Sequence, residues 1–301
     1  MASTVEIPTL CWESAALPAC LRYRALPLAA PSADHAAANL YMWDERYKKD
    51  LCFAGGQAVV RLHKKSGGYR YLFPVGEGDF SPMLTALERE CAARGEALCF
   101  VSVSEEELPH LVAQWGERLQ ITENRDYEDY LYEAQKLATL SGKKLHAKRN
   151  HINAFSAVHD WHVQPLTPTS FELCLDILKK WQEGKEDALF AEQRAIERGF
   201  SAWEELGLEG LVLYADGAPV AFSVGSRVTP SCFCVHFEKA VPGFEGAFAV
   251  INRETVRAML EKYPEITLIN REEDMGIESL RAAKLSWRPA QLLRKFTVHV
   301  T

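Results

Sequence analysis

Leu211-Val-Leu-Tyr-Ala-Asp216-Gly217-Ala-Pro-Val220-Ala-Phe-Ser-Val224 is the stretch from which the fold is read. Leu211 to Tyr214 and Val220 to Val224 are short apolar runs, and the Asp216-Gly217 pair between them is a hairpin signal. Downstream, Ser231 to Phe237 predicts the next strand, followed by the loop Val241-Pro-Gly-Phe-Glu-Gly246. A helix over Ala249 to Lys262, a strand over Ile266 to Ile269, a helix over Ile277 to Lys284 and a last strand near Leu292 to Val300 complete this half. Upstream, helical periodicity covers Ser170 to Trp181 and Ala188 to Trp203.

The first half reads in the same order. A helix over Asp34 to Tyr47 carries Leu40, Trp43 and Tyr47 at spacings of three and four. Strands over Leu51 to Phe53 and Ala58 to Leu62 flank Gly55-Gly56, a second hairpin signal. A strand over Tyr69 to Val75, a helix over Ser81 to Arg94 and a strand over Ala97 to Val103 follow, then a helix over Glu105 to Trp115 and a strand over Leu119 to Thr122. Each half is helix, hairpin, strand, helix, strand, helix, strand. The repeat rests on order and spacing, because the two halves share few letters. It predicts two domains, 1–160 including the connecting helices and 161–301. That count suits 301 residues at ~150 per domain.

With 48% hydrophobic and 25% charged residues, the chain can bury a core, which excludes a disordered chain or a disulfide-stapled miniature. Lys plus Arg number 34 against 41 Asp plus Glu, a formal charge of −7. A surface that acidic repels bulk polyanions, so contact with nucleic acid must use a local basic patch. The eight cysteines lack a C-x-x-C pair, and Cys232-Phe-Cys234 reads as strand alternation rather than a metal knuckle, so no metal is assigned. They read as reduced thiols of a cytoplasmic protein. The first 17 residues contain Glu6 and Glu13 without a basic flank, unlike a signal peptide. No run of ~20 apolar residues offers a membrane span, so no integral membrane contact is expected.

Three clusters carry chemistry. Between the halves, a helix is predicted with Tyr127, Tyr130, Leu131, Ala134 and Leu137 on one face, stopped by Gly142. In the next helix Leu145, Ile152 and Phe155 face inward, leaving Lys144, Lys148 and His151 on another side beside Arg149. Four cations among seven residues (Lys143, Lys144, Lys148, Arg149) make a patch for phosphate or carboxylate, or else a solvated helix face. Asn270-Arg271-Glu272-Glu273-Asp274 follows a strand. Asn270 with Glu273 fits a capping box, which leaves Arg271 and the surplus of carboxylates unexplained. Such carboxylates can hold an ammonium group or act as a general base. Alternation places His236 and Glu238 on one strand face, next to Lys239.

The shared order of the two halves is the plan of the GNAT acyltransferase fold, an α/β (α+β) class with mixed, mostly antiparallel sheets and flanking helices. Ile277 to Pro289 is similar to that fold's closing helix, which ends in an aromatic and a proline. Four segments resemble the phosphatidylglycerol lysyltransferase C-terminal-domain family. They are Tyr130-Leu-Tyr with Leu137-Ala-x-Leu-x-Gly142-Lys-Lys-x-His146-x-Lys148-Arg149-Asn150-x-Ile-Asn-x-Phe155, Phe237-Glu238-Lys239-Ala240, Asn270-Arg-Glu-x-Asp274-x-Gly276-Ile, and Leu280-Arg281-x-x-Lys284-Leu-Ser. They run from about Tyr127 to the end of the sequence; the first half matches only in strand order.

The resemblance implies a tandem GNAT protein that moves an amino acid from aminoacyl-tRNA to a lipid hydroxyl or another hydroxyl or amine acceptor, here without membrane segments. It implies Lys148, Arg149 and Lys144 at the terminal tRNA phosphates, and Glu238, Glu272 or Asp274 at the aminoacyl ammonium or as the base. Lys284 and Arg281 would serve the acceptor phosphate or the oxyanion, with Asn150, His236, Lys239, Asn270 and Arg271 as further binding residues. Two packed halves would give a monomer.

A second expectation is an acyl-CoA-dependent N-acyltransferase acting on a small amine. Against it, Pro242-Gly-Phe-Glu-Gly-Ala-Phe248 puts Glu245 in the cradle that holds CoA pyrophosphate in that fold, without its Arg or Gln. The helix position that often bears a Tyr proton donor reads Leu280-Arg281. A third is a non-catalytic module that binds a charged metabolite or tRNA.

Overall fold

A computed structural model of the chain describes residues 6–182 and 189–301. The chain divides into two compact units, Met1–Glu128 with Leu293–Thr301, and Asp129–Leu292.

The first unit contains, in chain order, β1 (Trp12–Ser14), α1 (Leu17–Arg24), α2 (Ala37–Met42), β2 (Lys49–Ala54), β3 (Gln57–His63), β4 (Tyr69–Tyr71), β5 (Val75–Gly76), α3 (Ser81–Ala93), β6 (Cys99–Ser104), α4 (Leu108–Trp115) and β7 (Leu119–Glu123). The β2–β3 turn is the expected two-residue hairpin. Ala54 pairs with Gln57, and Gly55 and Gly56 both adopt positive φ, which a primed turn requires. Alternation along β3 sends Val59 into a core with Leu84 and Leu87 of α3 and Trp115 of α4. Ala58 and Val60 pack on the other face with Tyr23 of α1 and Leu40 of α2.

The second unit contains β8 (Asp129–Glu133), α5 (Ala134–Thr139), α6 (His146–Val158), β9 (Trp161–Pro165), α7 (Phe171–Gln182), α8 (Leu189–Ser201), α9 (Trp203–Leu206), β10 (Leu208–Ala215), β11 (Ala218–Thr229), β12 (Cys232–Ala240), α10 (Ala247–Lys262), β13 (Leu268–Asn270), α11 (Glu278–Ser286) and β14 (Gln291–Leu293). The expected start of α8 at Ala188 lies outside the described residues. Its sheet runs β14-β8-β13-β12-β11-β10-β9. Phe155 of α6 and Val250, Ile251 and Met259 of α10 bury one face against Leu213, Ala221 and Phe233.

Two sequence expectations are corrected by strand exchange. The segment around Tyr130 is a strand, not a helix: residues 129–132 are all buried, and β8 lies between β13 and β14. A continuous buried Tyr-Leu-Tyr run suits a central strand, and its helix-like spacing is incidental. The predicted last strand splits. β14 stays with the second sheet, whereas β15 (Lys295–Val300) joins the first, between β6 and β7. The chain therefore divides at 128/129 and 292/293 rather than at 160/161. None of the eight cysteines, all among the described residues, is in a disulfide, and of the eight only Cys11 is exposed.

Candidate functional site

The second sheet opens where β12 and β13 part. These strands run parallel and pair only over Cys232–Cys234 against Leu268–Asn270. Past that point β12 continues with His236, Glu238 and Lys239, and the chain leaves β13 as the loop 271–277. Side chains at the carboxyl ends of diverging strands stand where an α/β sheet presents chemistry.

Asp274 anchors the loop. It is fully buried, and its two oxygens accept from Tyr130 Oη (2.5 Å), Arg281 Nε (2.9 Å), Arg281 Nη2 (2.8 Å) and the Gly276 amide (2.9 Å). Burial opposes its ionisation, but the Arg281 fork and the Tyr130 hydroxyl override that and hold the carboxyl well below the usual carboxylate range. Lys284 donates to the carbonyls of Arg271 (2.6 Å) and Glu273, and burial pushes its ammonium pKa down. Asn270 does not form the expected capping box, because no helix starts until Glu278. Its Oδ1 instead accepts from the Glu272 amide (2.7 Å), an Asx turn, and its Nδ2 donates to Asp129 Oδ2 (2.9 Å).

His236 and Glu238 enter separate networks. The β11–β12 register slips between Val224 and Gly225, so Phe237 faces Val224 and Val235 faces Gly225, with His236 as the extra residue of a bulge. That bulge breaks the strict alternation expected of the strand. His236 stands between Ser226 Oγ (2.8 Å from Nε2) and Glu272 Oε1 (2.9 Å from Nδ1). Glu238, nearly buried, accepts from Arg271 Nη2 (2.8 Å) and Asn252 Nδ2 (3.1 Å). Lys239 turns away to Glu192 of α8 (2.8 Å) and the Trp181 ring of α7.

Of the four-cation patch, Lys148 alone reaches this cluster. Its Nζ lies 4.5 Å from the Trp287 ring centre and donates to Ser286 Oγ (2.8 Å), while Arg271 Cζ lies 5.3 Å from the same ring. Half-burial and the neighbouring Arg271 charge lower the Lys148 pKa. Arg149 is spent locally, donating to the carbonyls of Leu140 and Gly142 (2.9 Å) at the end of α5. Lys144 is exposed, as is Asn150, which meets His146 (3.3 Å).

Sequence reasoning named Arg271 but missed Ser223, Asn252 and Thr255 around Glu238. Buried Asn252 Oδ1, Thr255 Oγ1, Ser223 Oγ and Arg271 Nη1 have no hydrogen-bond partner within the described protein. Ser223 is the cross-strand partner of Glu238, and Asn252 and Thr255 are one turn apart on α10. Asn252 and Thr255, set in the buried stripe of α10 among Val250, Ile251, Val256 and Met259, were the available signal.

The fold is of the tandem GNAT-like class, two mostly antiparallel sheets with flanking helices. The family model described as phosphatidylglycerol lysyltransferase, C-terminal, matches residues 27–299, and the chain belongs to that family. It is similar to a conserved protein of unknown function from Bacteroides thetaiotaomicron, with 33% identity, a TM-score of 0.91, and coverage of 97% of this chain and 100% of that one. It shares its fold with the C-terminal domain of a putative lysylphosphatidylglycerol synthetase from Agrobacterium fabrum (14% identity, TM-score 0.67, 95% and 92% covered). An uncharacterised protein of Mycoplasmoides gallisepticum is 27% identical over 180 residues. That match spans 57% of this chain and 56% of the relative's length. No described helix is long and apolar enough to cross a membrane.

Proposed function

We propose that the chain transfers an aminoacyl group from aminoacyl-tRNA to a hydroxyl or amine acceptor, at the site built around Glu238, Arg271 and Lys148. The observation that carries this reading is the set of four partnerless buried polar atoms around Glu238. Leaving such atoms unpaired costs about 1–3 kcal/mol each, which a polar ligand would relieve.

The two ends of the cluster suit the two ends of an aminoacyl ester. Glu238 and the Asn252 amide oxygen receive the donor's ammonium, while Arg271 Nη1 is a donor for its carbonyl oxygen as charge develops there. Lys148, with Arg271 beside it over Trp287, holds a phosphate of the terminal nucleotide. The acceptor's nucleophilic atom attacks the ester carbonyl carbon, the bond to the ribose oxygen breaks, and that oxygen leaves as a hydroxyl after taking the acceptor's proton. Asp274, Arg281, Lys284 and Tyr130 act as anchors of the loop, and Arg149 as an anchor of α6, rather than as reacting groups.

The acyl-CoA alternative is disfavoured at the start of α10. A Cβ at Gly246 would lie 2.6 Å from the His151 carbonyl, so α6 packs against the turn that would cradle a pyrophosphate. The purified chain, incubated with tRNA charged with labelled amino acids and a cell extract supplying acceptors, should release label from tRNA. Glu238→Gln should slow release by about 100-fold or more. A rise in melting temperature with acetyl-CoA and no enzyme-dependent loss from charged tRNA would replace this reading with the acyl-CoA one.

A further inference from the structure

We infer that Cys234, His236 and Glu272 form a binding site for a divalent metal of zinc type, with Ser226 as its outer hydrogen-bond partner. Cys234 Sγ, His236 Nδ1 and Glu272 Oε1 all lie within 4.8 Å of one another, the only such three-residue group of His, Cys and carboxylate among the described residues. Two edges of the triangle measure 2.9 Å (Nδ1 to Oε1) and 3.7 Å (Sγ to Oε1). Zinc bonds of about 2.0–2.3 Å at tetrahedral angles subtend ligand–ligand edges of roughly 3.4–3.6 Å. To seat an ion the carboxylate and imidazole part by about half an ångström, and the Sγ–Nδ1 edge, which lies within 4.8 Å, settles at roughly 3.6 Å.

The local chain is arranged to converge these atoms. The bulge in β12 aims His236 toward the loop, and the Asn270 side chain fixes the Glu272 amide (2.7 Å) where the main chain takes a left-handed φ of 58°. With Nδ1 on the metal, the Nε2 proton goes to Ser226 Oγ (2.8 Å), the outer contact that sets the tautomer of a metal-bound imidazole. Without a metal the thiol is neutral: burial and the nearby Glu272 and Asp129 push its pKa far up. A mixed S, N, O set favours zinc over magnesium or calcium. Three protein ligands leave a fourth position on the partly exposed Glu272 side. The proposal stands apart from the transfer reaction, whose proposed residues are Glu238, Arg271 and Lys148.

Cobalt(II) is the probe, titrated into the purified full chain. The expected result is one tightly bound equivalent with a near-ultraviolet thiolate-to-cobalt band, displaced by zinc. Cys234→Ser and His236→Gln should abolish the band and Ser226→Ala should weaken binding by about tenfold, while Cys232→Ser keeps it. Because Cys234 and His236 are buried, Glu272→Gln supplies a variant at a partly exposed position, and it should weaken binding at unchanged melting temperature of the metal-free chain. No thiolate band in the wild type, a band that survives Cys234→Ser, or cobalt affinity unchanged in Glu272→Gln overturns the proposal.

Discussion

Asp274 and Lys148 show how burial assigns work to charged residues. An aspartate after a strand reads as a base in the sequence, yet its oxygens are occupied by Arg281, Tyr130 and Gly276. Its folded pKa is depressed, so its contribution to stability is complete above the unfolded carboxylate range. That contribution is lost as pH falls through the folded value. Asp274→Ala should destabilise the second unit by about 3 kcal/mol at neutral pH, measured by denaturant unfolding, and the difference from wild type should shrink below about pH 4. Lys148 carries the opposite sign. Its folded pKa is lowered, so it loses its proton at a pH where an ordinary lysine stays charged. The donor KM should therefore rise with pH through that lowered pKa while kcat holds, and Lys148→Arg should flatten the rise. The basic run announced an anion patch, but only tertiary packing separates Lys148, held over Trp287, from Arg149, tied to the end of α5.

Among elements, β12 carries most of the site, and its bulge defeats reading by period. Alternation predicted His236 and Glu238 together; one extra residue opposite Gly225 sends them to different partners. Gly225 permits this, because a Cβ there would lie 2.2 Å from the Cys234 carbonyl and 2.5 Å from the Phe233 ring. Gly225→Ala should cost about 1–3 kcal/mol in unfolding experiments and, by moving His236, weaken cobalt binding as well. The hairpins, α3, α6 and α10 were legible because their turn residues and apolar stripes are local. β8 was not: Tyr130, Leu131, Ala134 and Leu137 fit a helical face, and only pairing with β13 decides for a strand.

At the scale of the whole chain, the repeat was legible as an order of elements but not as a boundary. Pairing between strands distant in sequence assigns β8 to the second sheet and β15 to the first, and no local signal reports it. β15 lies between β6 and β7 and supplies Phe296, Val298 and Val300 to the first unit's core. Removing residues 294–301 should therefore abolish slow amide exchange in β6, α3 and α4, while β10–β12 keep their protection.

The central claim is that the buried polar cluster around Glu238 receives an aminoacyl group. The most direct measurement is the rate at which the purified chain discharges labelled aminoacyl-tRNA, wild type beside Glu238→Gln, with the label then followed to its acceptor. Rapid discharge by the wild type, slowed about 100-fold or more in a folded Glu238→Gln chain, is the predicted result. Equal rates in the two proteins, or no discharge of any charged tRNA, would contradict it.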